Sequence, residues 1–340
     1  MSNKKGAGRS PSLDYLKSDD LKPSHLKSDH PQLDYSKLST YSIKDRKSLV
    51  SRDDFARPWT KGAGLGTFFD RLPAILAGKD IRGVIDAIAG AARKNRHVCF
   101  GMGGHVVKTG MAPILIDLME KGVITHLAMN GSCIIHDFEV AFTGRTSEDV
   151  AESLASGSFG MAKETSELLN QAISRAHDQK TGLGRAVGQL IQDLDLPFKD
   201  SSLTAAGARL DVPVTVHVAI GTDIIHMHPG FDGAACGAAT LHDFKTLAST
   251  LADLENGVFI NAGSAVILPE VFLKALTLVR NLGHKVDDFT TVNLDFIRHY
   301  RPMTNVVNRP TQGRGKGYAI VGHHEILIPL IAAGVIEALE

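Results

Sequence analysis

Apolar and polar positions along this chain alternate between two periods. Apolar runs of four to nine residues are followed by glycine, asparagine or serine, and then by stretches with apolar residues every third or fourth position. The clearest instance spans Arg96 to Asp137. His97 to Phe100 reads as a buried strand, and Gly101-Met102-Gly103-Gly104-His105 as a glycine-rich turn. Gly110 to Glu120 reads as an amphipathic helix, Ile124 to Met129 as a second strand, and Asn130-Gly131-Ser132 as the loop that closes it. Continuous apolar strands joined through helices predict a parallel sheet buried on both faces.

The pattern continues downstream. Phe68 to Leu76 and Ile81 to Arg93 read as helices ahead of the first strand. Ser147 to Leu194 is a long helical stretch broken at Gly157, Gly182 and Gly184. Val212 to Ile220, Val258 to Asn261, Phe289 to Leu294 and Tyr318 to Val321 read as further strands. Asp243 to Leu254, Pro269 to Asn281 and Glu325 to Leu339 read as helices, the second opening on a proline whose missing N–H costs nothing there. Strand alternating with helix predicts an α/β fold, a Rossmann-like three-layer sandwich around a mostly parallel central sheet.

Residues 1–57 break the pattern. They are rich in Ser, Lys, Asp and Leu and carry a weak repeat, Leu16-Lys17-Ser18-Asp19 returning as Leu26-Lys27-Ser28-Asp29 and Leu13-Asp14-Tyr15 as Leu33-Asp34-Tyr35. Such a segment buries too little apolar area to offset its ordering entropy. It is expected to be a polar arm, either disordered or wrapped on a neighbouring subunit, ahead of a single domain over 58–340.

Charge narrows the partners. Lys plus Arg number 37, as do Asp plus Glu, so no global field favours nucleic acid or an anionic membrane. No apolar run reaches the roughly 18 residues of a membrane span. Lys4, Lys5 and Arg9 have no apolar segment behind them, unlike a secretory signal. The three cysteines, Cys99, Cys133 and Cys236, form no CxxC and fit a reducing cytoplasm. The expected partner is a small molecule.

The candidate chemistry gathers where strands end. The first strand delivers Gly103, Gly104 and His105. The second delivers Asn130, Gly131, Ser132 and Asp137, and the third Gly221, Thr222 and Asp223. The strand at Val258 leads to Asn261, Gly263 and Ser264, and the strand at Phe289 to Asn293 and Asp295. Loop N–H groups and helix N-termini converge at this edge of a parallel sheet, and small residues let backbone approach phosphate there. Gly103, Gly104, Asn130, Gly131, Ser132, Gly263, Ser264 and Asn293 are therefore the candidate cofactor-binding residues. His105, Asp137, Asp223, His226 and Asp295 are the acid–base candidates, since their types can move protons at strand ends.

Four further readings stay open. His226 and His228, with His323 or His324, could hold a metal with a nearby carboxylate, giving a metal-assisted enzyme; otherwise these histidines satisfy backbone groups. Cys133 is a nucleophile or a small packing residue. Arg298, His299, Tyr300, Arg301, Arg309, Arg314 and Lys316 form a basic stretch, either a lid over an anionic ligand or a solvated loop. A ligand-binding module without catalysis would keep the same loop glycines.

The order of these motifs, from about His97 to Leu339, resembles the deoxyhypusine synthase family. Leu127 to Asp137 falls at its threonine-alanine-glycine-glycine turn, and Val212-Pro213-Val214 at its isoleucine-proline-valine strand. Ile260 to Ser264 falls at its glycine triplet, and Val292-Asn293 at its isoleucine-asparagine pair, while Glu325 to Ala333 resembles its closing helix. The resemblance implies a Rossmann-like fold, NAD as cofactor, and a homotetramer with sites between subunits. In the family the reaction moves a butylamine group from spermidine to a lysine acceptor. This chain departs from the active-site pattern. Asn308-Arg309-Pro310 stands at the tryptophan-glycine-lysine motif that carries the catalytic lysine, with Lys316 nearby. Leu268-Pro269 replaces paired histidines, and Ile135 and His136 replace acidic residues, leaving Asp137. The departures imply a divergent NAD-binding, transferase-like or NAD-dependent enzyme acting on a small polar, amine-type substrate.

Overall fold

The structure, a computed structural model, describes residues 32–339. The chain divides into two compact units between Leu49 and Val50. In the described part of the first, Asp34 accepts hydrogen bonds from Ser36 N and Oγ and caps the short turn Tyr35–Lys37, whose apolar neighbours Leu33 and Leu38 are exposed. The earlier copies of the repeat lie outside the described residues. Residues from Val50 to the expected boundary at 57 belong to the second unit. Arg57 N bonds Arg71 O at 3.0 Å, and Ala74 N bonds Asp54 O at 2.9 Å.

The second unit begins with α1 (Leu65–Arg71) and α2 (Leu76–Arg93). Pro73 separates them, so the single helix read over 68–76 ends at Arg71. The first βαβ unit follows: β1 (Val98–Met102), α3 (Gly104–Lys108), α4 (Ala112–Glu120) and β2 (His126–Asn130). Next come α5 (Gly131–Thr143), α6 (Val150–Leu154), α7 (Lys163–Asp178), α8 (Leu183–Asp193) and α9 (Leu203–Leu210). Then come β3 (Val214–His217), α10 (Gly233–Leu251), β4 (Val258–Ala262), α11 (Ile267–Asn281) and β5 (Thr290–Asp295). The short α12 (Tyr300–Pro302) runs into a π-helical turn, Met303–Asn308, before β6 (Lys316–Val321) and α13 (His324–Leu339). Helices α5 and α9 were not read from the pattern, and β3 is shorter than the apolar run that announced it.

The sheet has six strands in the order β3-β2-β1-β4-β5-β6, every pair parallel. Strands β1 to β4 are almost wholly buried, as a sheet covered on both faces requires. One face packs Phe100, Leu127, Ile260 and Val292 against α2, α4 and α13. The other stacks Phe259 on Phe272 of α11, ring centroids 3.8 Å apart, with Phe289 edge-on.

The edge strand β3 is closed by side chains. Val216 N donates to Asp243 Oδ2 at 2.8 Å, and Val216 O accepts from Thr240 Oγ1 at 2.8 Å. Asp243 also accepts Gly184 N at 3.1 Å, at the start of α8. Chain order reverses between β1 and β4, so the helices that follow those strands, α4 and α11, pack on opposite faces of the sheet and a crevice lies between them at the carboxyl rim.

Candidate active site

At the crevice, the loop after β1 meets the loop after β4 backbone to backbone. A Cβ on Gly103 would lie 2.5 Å from Gly263 O. Gly263 itself adopts φ +69°, and a Cβ there would lie 2.6 Å from His324 Cε1. These glycines are required by close approach within the chain. His324, fully buried at the start of α13, contacts Leu294 O through Nε2 at 3.1 Å and His105 Nδ1 through its own Nδ1 at 3.1 Å. The His105 ring is exposed and lies 6.1 Å, centroid to centroid, from Phe296. Phe296 stacks parallel to His323 at 6.3 Å and leaves 48% of its surface open. Asp295, just before it, is buried, and its carboxylate accepts the Phe296 N–H at 2.8 Å.

The second half of the rim joins the first through Gly104, where a Cβ would lie 2.6 Å from Ser132 Oγ and 3.2 Å from His136 Cδ2. Asn130 Oδ1 accepts Ser132 Oγ at 2.9 Å and Cys133 Sγ at 3.0 Å, ordering the first turn of α5. The missing Cβ of Gly131 makes room for Asp223, whose Oδ2 would lie 2.0 Å from it. That oxygen is buried and has no hydrogen-bond partner. Burial pushes the Asp223 carboxyl up to about 6. His226 Nδ1 accepts Gly221 N at 3.0 Å and Asp223 N at 3.3 Å, while its Nε2 is unpartnered and 4.0 Å from Asp223 Oδ2. Burial lowers the His226 imidazole.

Asp223 lines a pocket of about 190 Å³ with Ser132, His136, Lys108, Glu139 and Glu148. Burial works to raise the Glu139 carboxyl, but the neighbouring His136 at 3.9 Å and hydrogen bonds from Thr146 and Thr165 outweigh it and hold the group below its usual range. Glu148 accepts the Gly160 N–H at 2.9 Å.

Gly104, Gly131, Asp223 and the Gly263-Ser264 turn thus share one rim, although they are scattered over the sequence. Comparison with known proteins agrees with this architecture. No family model matches the chain, and no curated protein does. Among solved structures, a "putative deoxyhypusine synthase" from Entamoeba histolytica superposes with TM-score 0.50 at 12% identity, over 83% of this chain and 96% of that one. The fold is deoxyhypusine synthase-like. AgrE, in a ternary complex with ornithine and NAD+, gives TM-score 0.49 at 13% identity over 78% of this chain; the chain spans only 34% of that protein.

Within this deoxyhypusine synthase-like fold several expectations need correction. Asp137 points away from the rim. It is fully buried and accepts Ser202 Oγ at 2.7 Å, Leu203 N at 2.7 Å, Thr204 N at 3.1 Å and Thr204 Oγ1 at 2.6 Å, so it holds the N-cap Ser202 and the first two amides of α9. Asn293 is buried inside the sheet, where its Oδ1 accepts Asn261 Nδ2 at 2.7 Å. Ser264 Oγ accepts Leu268 N at 3.1 Å and anchors the first turn of α11. Both side chains are buried and spend these bonds within the chain.

The metal reading loses its donors. His228 Nε2 bonds Gly160 O at 2.9 Å, His324 is engaged by Leu294 O and His105, and His226 turns Nδ1 to backbone N–H groups. Among the described residues no group of three His, Cys, Asp or Glu is placed to hold a metal. Cys133 is buried, and burial raises its thiol, so it packs rather than attacks.

The basic stretch does not act as one lid. Arg301 pairs with Glu270 at 3.3 Å, while Arg314 faces Asp288, which precedes β5, at 3.9 Å. Lys316 is the first residue of β6, in register with Thr290 at the opposite edge of the sheet from the rim. The sequence reading missed His324 as partner of His105, and Lys108, Glu139 and Glu148 as pocket walls. His105 and His324 are 219 residues apart, and only the parallel order of β1, β4 and β5 brings them together.

Proposed function

We propose that this chain is an enzyme whose active site is the carboxyl rim, binding NAD in the crevice between β1 and β4 and a small amine in the adjoining pocket. The unpartnered Asp223 Oδ2 carries this reading. A buried carboxylate oxygen without a donor is costly, and an ammonium supplies three donors and the opposite charge. Glu139 and Glu148 line the same pocket against a single lysine, Lys108, so its field favours a cation.

Two observations bear on where a dinucleotide fits. At the N-terminus of α5 the position a phosphate would take is filled by the Asp223 carboxylate, so a pyrophosphate does not fit there. The β1–β4 crevice is bordered by the exposed His105 and the half-exposed ring of Phe296, a surface that suits a flat heterocycle. His105 and Phe296 would hold the group there. Bound NAD supplies a hydride acceptor for a carbon carrying an amine. The chain's own residues orient that amine through Asp223, and His105, exposed at the crevice, is placed to take up a proton. No lysine of β6 reaches the rim, so butylamine transfer through such a lysine is not the reaction proposed.

The test is a calorimetric titration with NAD+, followed by NAD+ reduction assays over a panel of amino acids, diamines and polyamines. The expected result is dinucleotide binding and turnover of one amine class. Asp223→Asn is expected to raise KM for the amine roughly 10- to 100-fold, the cost of about 1.5–3 kcal/mol for a charge-assisted hydrogen bond, with NAD+ affinity unchanged. Absence of dinucleotide binding, or an Asp223→Asn enzyme with wild-type KM, refutes the reading.

A further inference from the structure

His324 and His105 form a chain of hydrogen bonds whose direction is set at one end. The Leu294 carbonyl has no hydrogen to give, so the contact at 3.1 Å requires His324 Nε2 to donate. A neutral imidazole carries one ring hydrogen, so with that hydrogen on Nε2 the His324 Nδ1 offers a lone pair. The 3.1 Å contact between the two Nδ1 atoms then takes its hydrogen from His105. His105 is thereby fixed as the Nδ1–H tautomer, with the lone pair on Nε2. A free histidine prefers the opposite tautomer. The His324 ring has no freedom to turn, because its Cε1 fills the space left by the absent side chain of Gly263.

We propose that His324 is a positioning residue that fixes the His105 tautomer, so that His105 Nε2 is the proton acceptor of the rim. In the step this allows, a substrate N–H or O–H bond breaks and its proton bonds to His105 Nε2, while the electron pair stays on the substrate atom. The resulting imidazolium passes part of its charge through Nδ1–H to His324 and on to the Leu294 carbonyl dipole. A fixed carbonyl thus orients two rings in series, and only the outer one touches substrate. The assignment of a substrate proton rests on the active-site reading above; the tautomer does not.

The experiment is long-range nitrogen–proton correlation NMR on the full-length protein labelled at histidine, near neutral pH and without substrate, with the His105 signals assigned by their loss in His105→Gln. The expected spectrum shows His105 protonated at Nδ1 and unprotonated at Nε2. His324→Phe, which keeps a ring against Gly263 but offers no acceptor, is expected to return His105 to the Nε2–H form and to lower kcat at least 10-fold. His324→Gln places a donor toward Leu294 O and an acceptor toward His105 and is expected to keep the Nδ1–H form, which separates the hydrogen-bond effect from loss of packing. An Nε2–H tautomer in the wild-type protein overturns the proposal, as does an unchanged tautomer in His324→Phe. If the expected tautomers are found in a protein that turns over no amine, the substrate reading fails and the orientation of His105 stands.

Discussion

Replacing Asp137 with alanine separates a scaffold carboxylate from a catalytic one. Its side chain takes two backbone N–H groups, Leu203 at 2.7 Å and Thr204 at 3.1 Å, and the hydroxyls of Ser202 and Thr204. In Asp137→Ala the two hydroxyls, 3.2 Å apart, can pair with each other. The two amides at the start of α9 have no other acceptor in reach and stay buried. Each unsatisfied buried donor costs about 1–3 kcal/mol, so the pair costs about 2–6 kcal/mol. The expected destabilisation is about 4 kcal/mol, a large part of a typical domain's stability. Urea unfolding followed by circular dichroism reads it as a drop in midpoint at constant slope. A loss below about 1 kcal/mol together with abolished turnover would refute the reasoning and return Asp137 to the active site.

Three other outcomes are expected. Asp223 must be ionised to hold an ammonium, so kcat/KM for the amine should rise with pH through about 6 and then level, and Asp223→Asn should remove that limb. Burial pushes Asp243 up to about 7 despite its backbone donors. A carboxyl whose folded value is raised contributes stability fully below its unfolded value near 4, and that contribution is lost as pH rises through 7. Unfolding free energy measured from pH 4 to 8 should therefore fall less in Asp243→Asn, which keeps an acceptor for Val216 and Gly184, than in the wild type. Lys316→Ala should leave kcat unchanged and stability within about 0.5 kcal/mol. Loss of turnover in that variant would mean that the amino end of β6 takes part in catalysis.

Much of the architecture can be read from periodicity, because β1, β2 and β4 are short, apolar and each followed directly by a glycine, and such strands permit few alternatives. The convergence of strand ends follows from parallel pairing, which puts every carboxyl end on one rim. Individual roles are less legible. Helix α5 begins with Asn130-Gly131-Ser132, residues that also make turns, and its apolar side chains Cys133, Ile134, Ile135 and Phe138 show no clean stripe because the helix is buried on several sides. Once α5 is missed, nothing tells that Asp137 faces inward to α9 while Ser132 and His136 face the pocket. The glycines at 103, 131 and 263 stand where phosphate-binding glycines would, yet their space is taken by Gly263, Asp223 and His324 of the same chain. Glycine at a strand end signals close approach without naming what approaches.

The side chains that close β3 also govern how this molecule meets its neighbours. A strand from another chain could add to the sheet there only by stripping Asp243 and Thr240 from the Val216 peptide group, trading satisfied bonds for a stranded carboxyl. Among the described residues the far margin has no such shield: β6 is open to solvent at Lys316, Gly317 and Val321, and a lysine guards its first position. Edge-to-edge growth, in assembly or in misfolding, is therefore favoured on that side, and a charge-removing change at Lys316 would loosen the guard there.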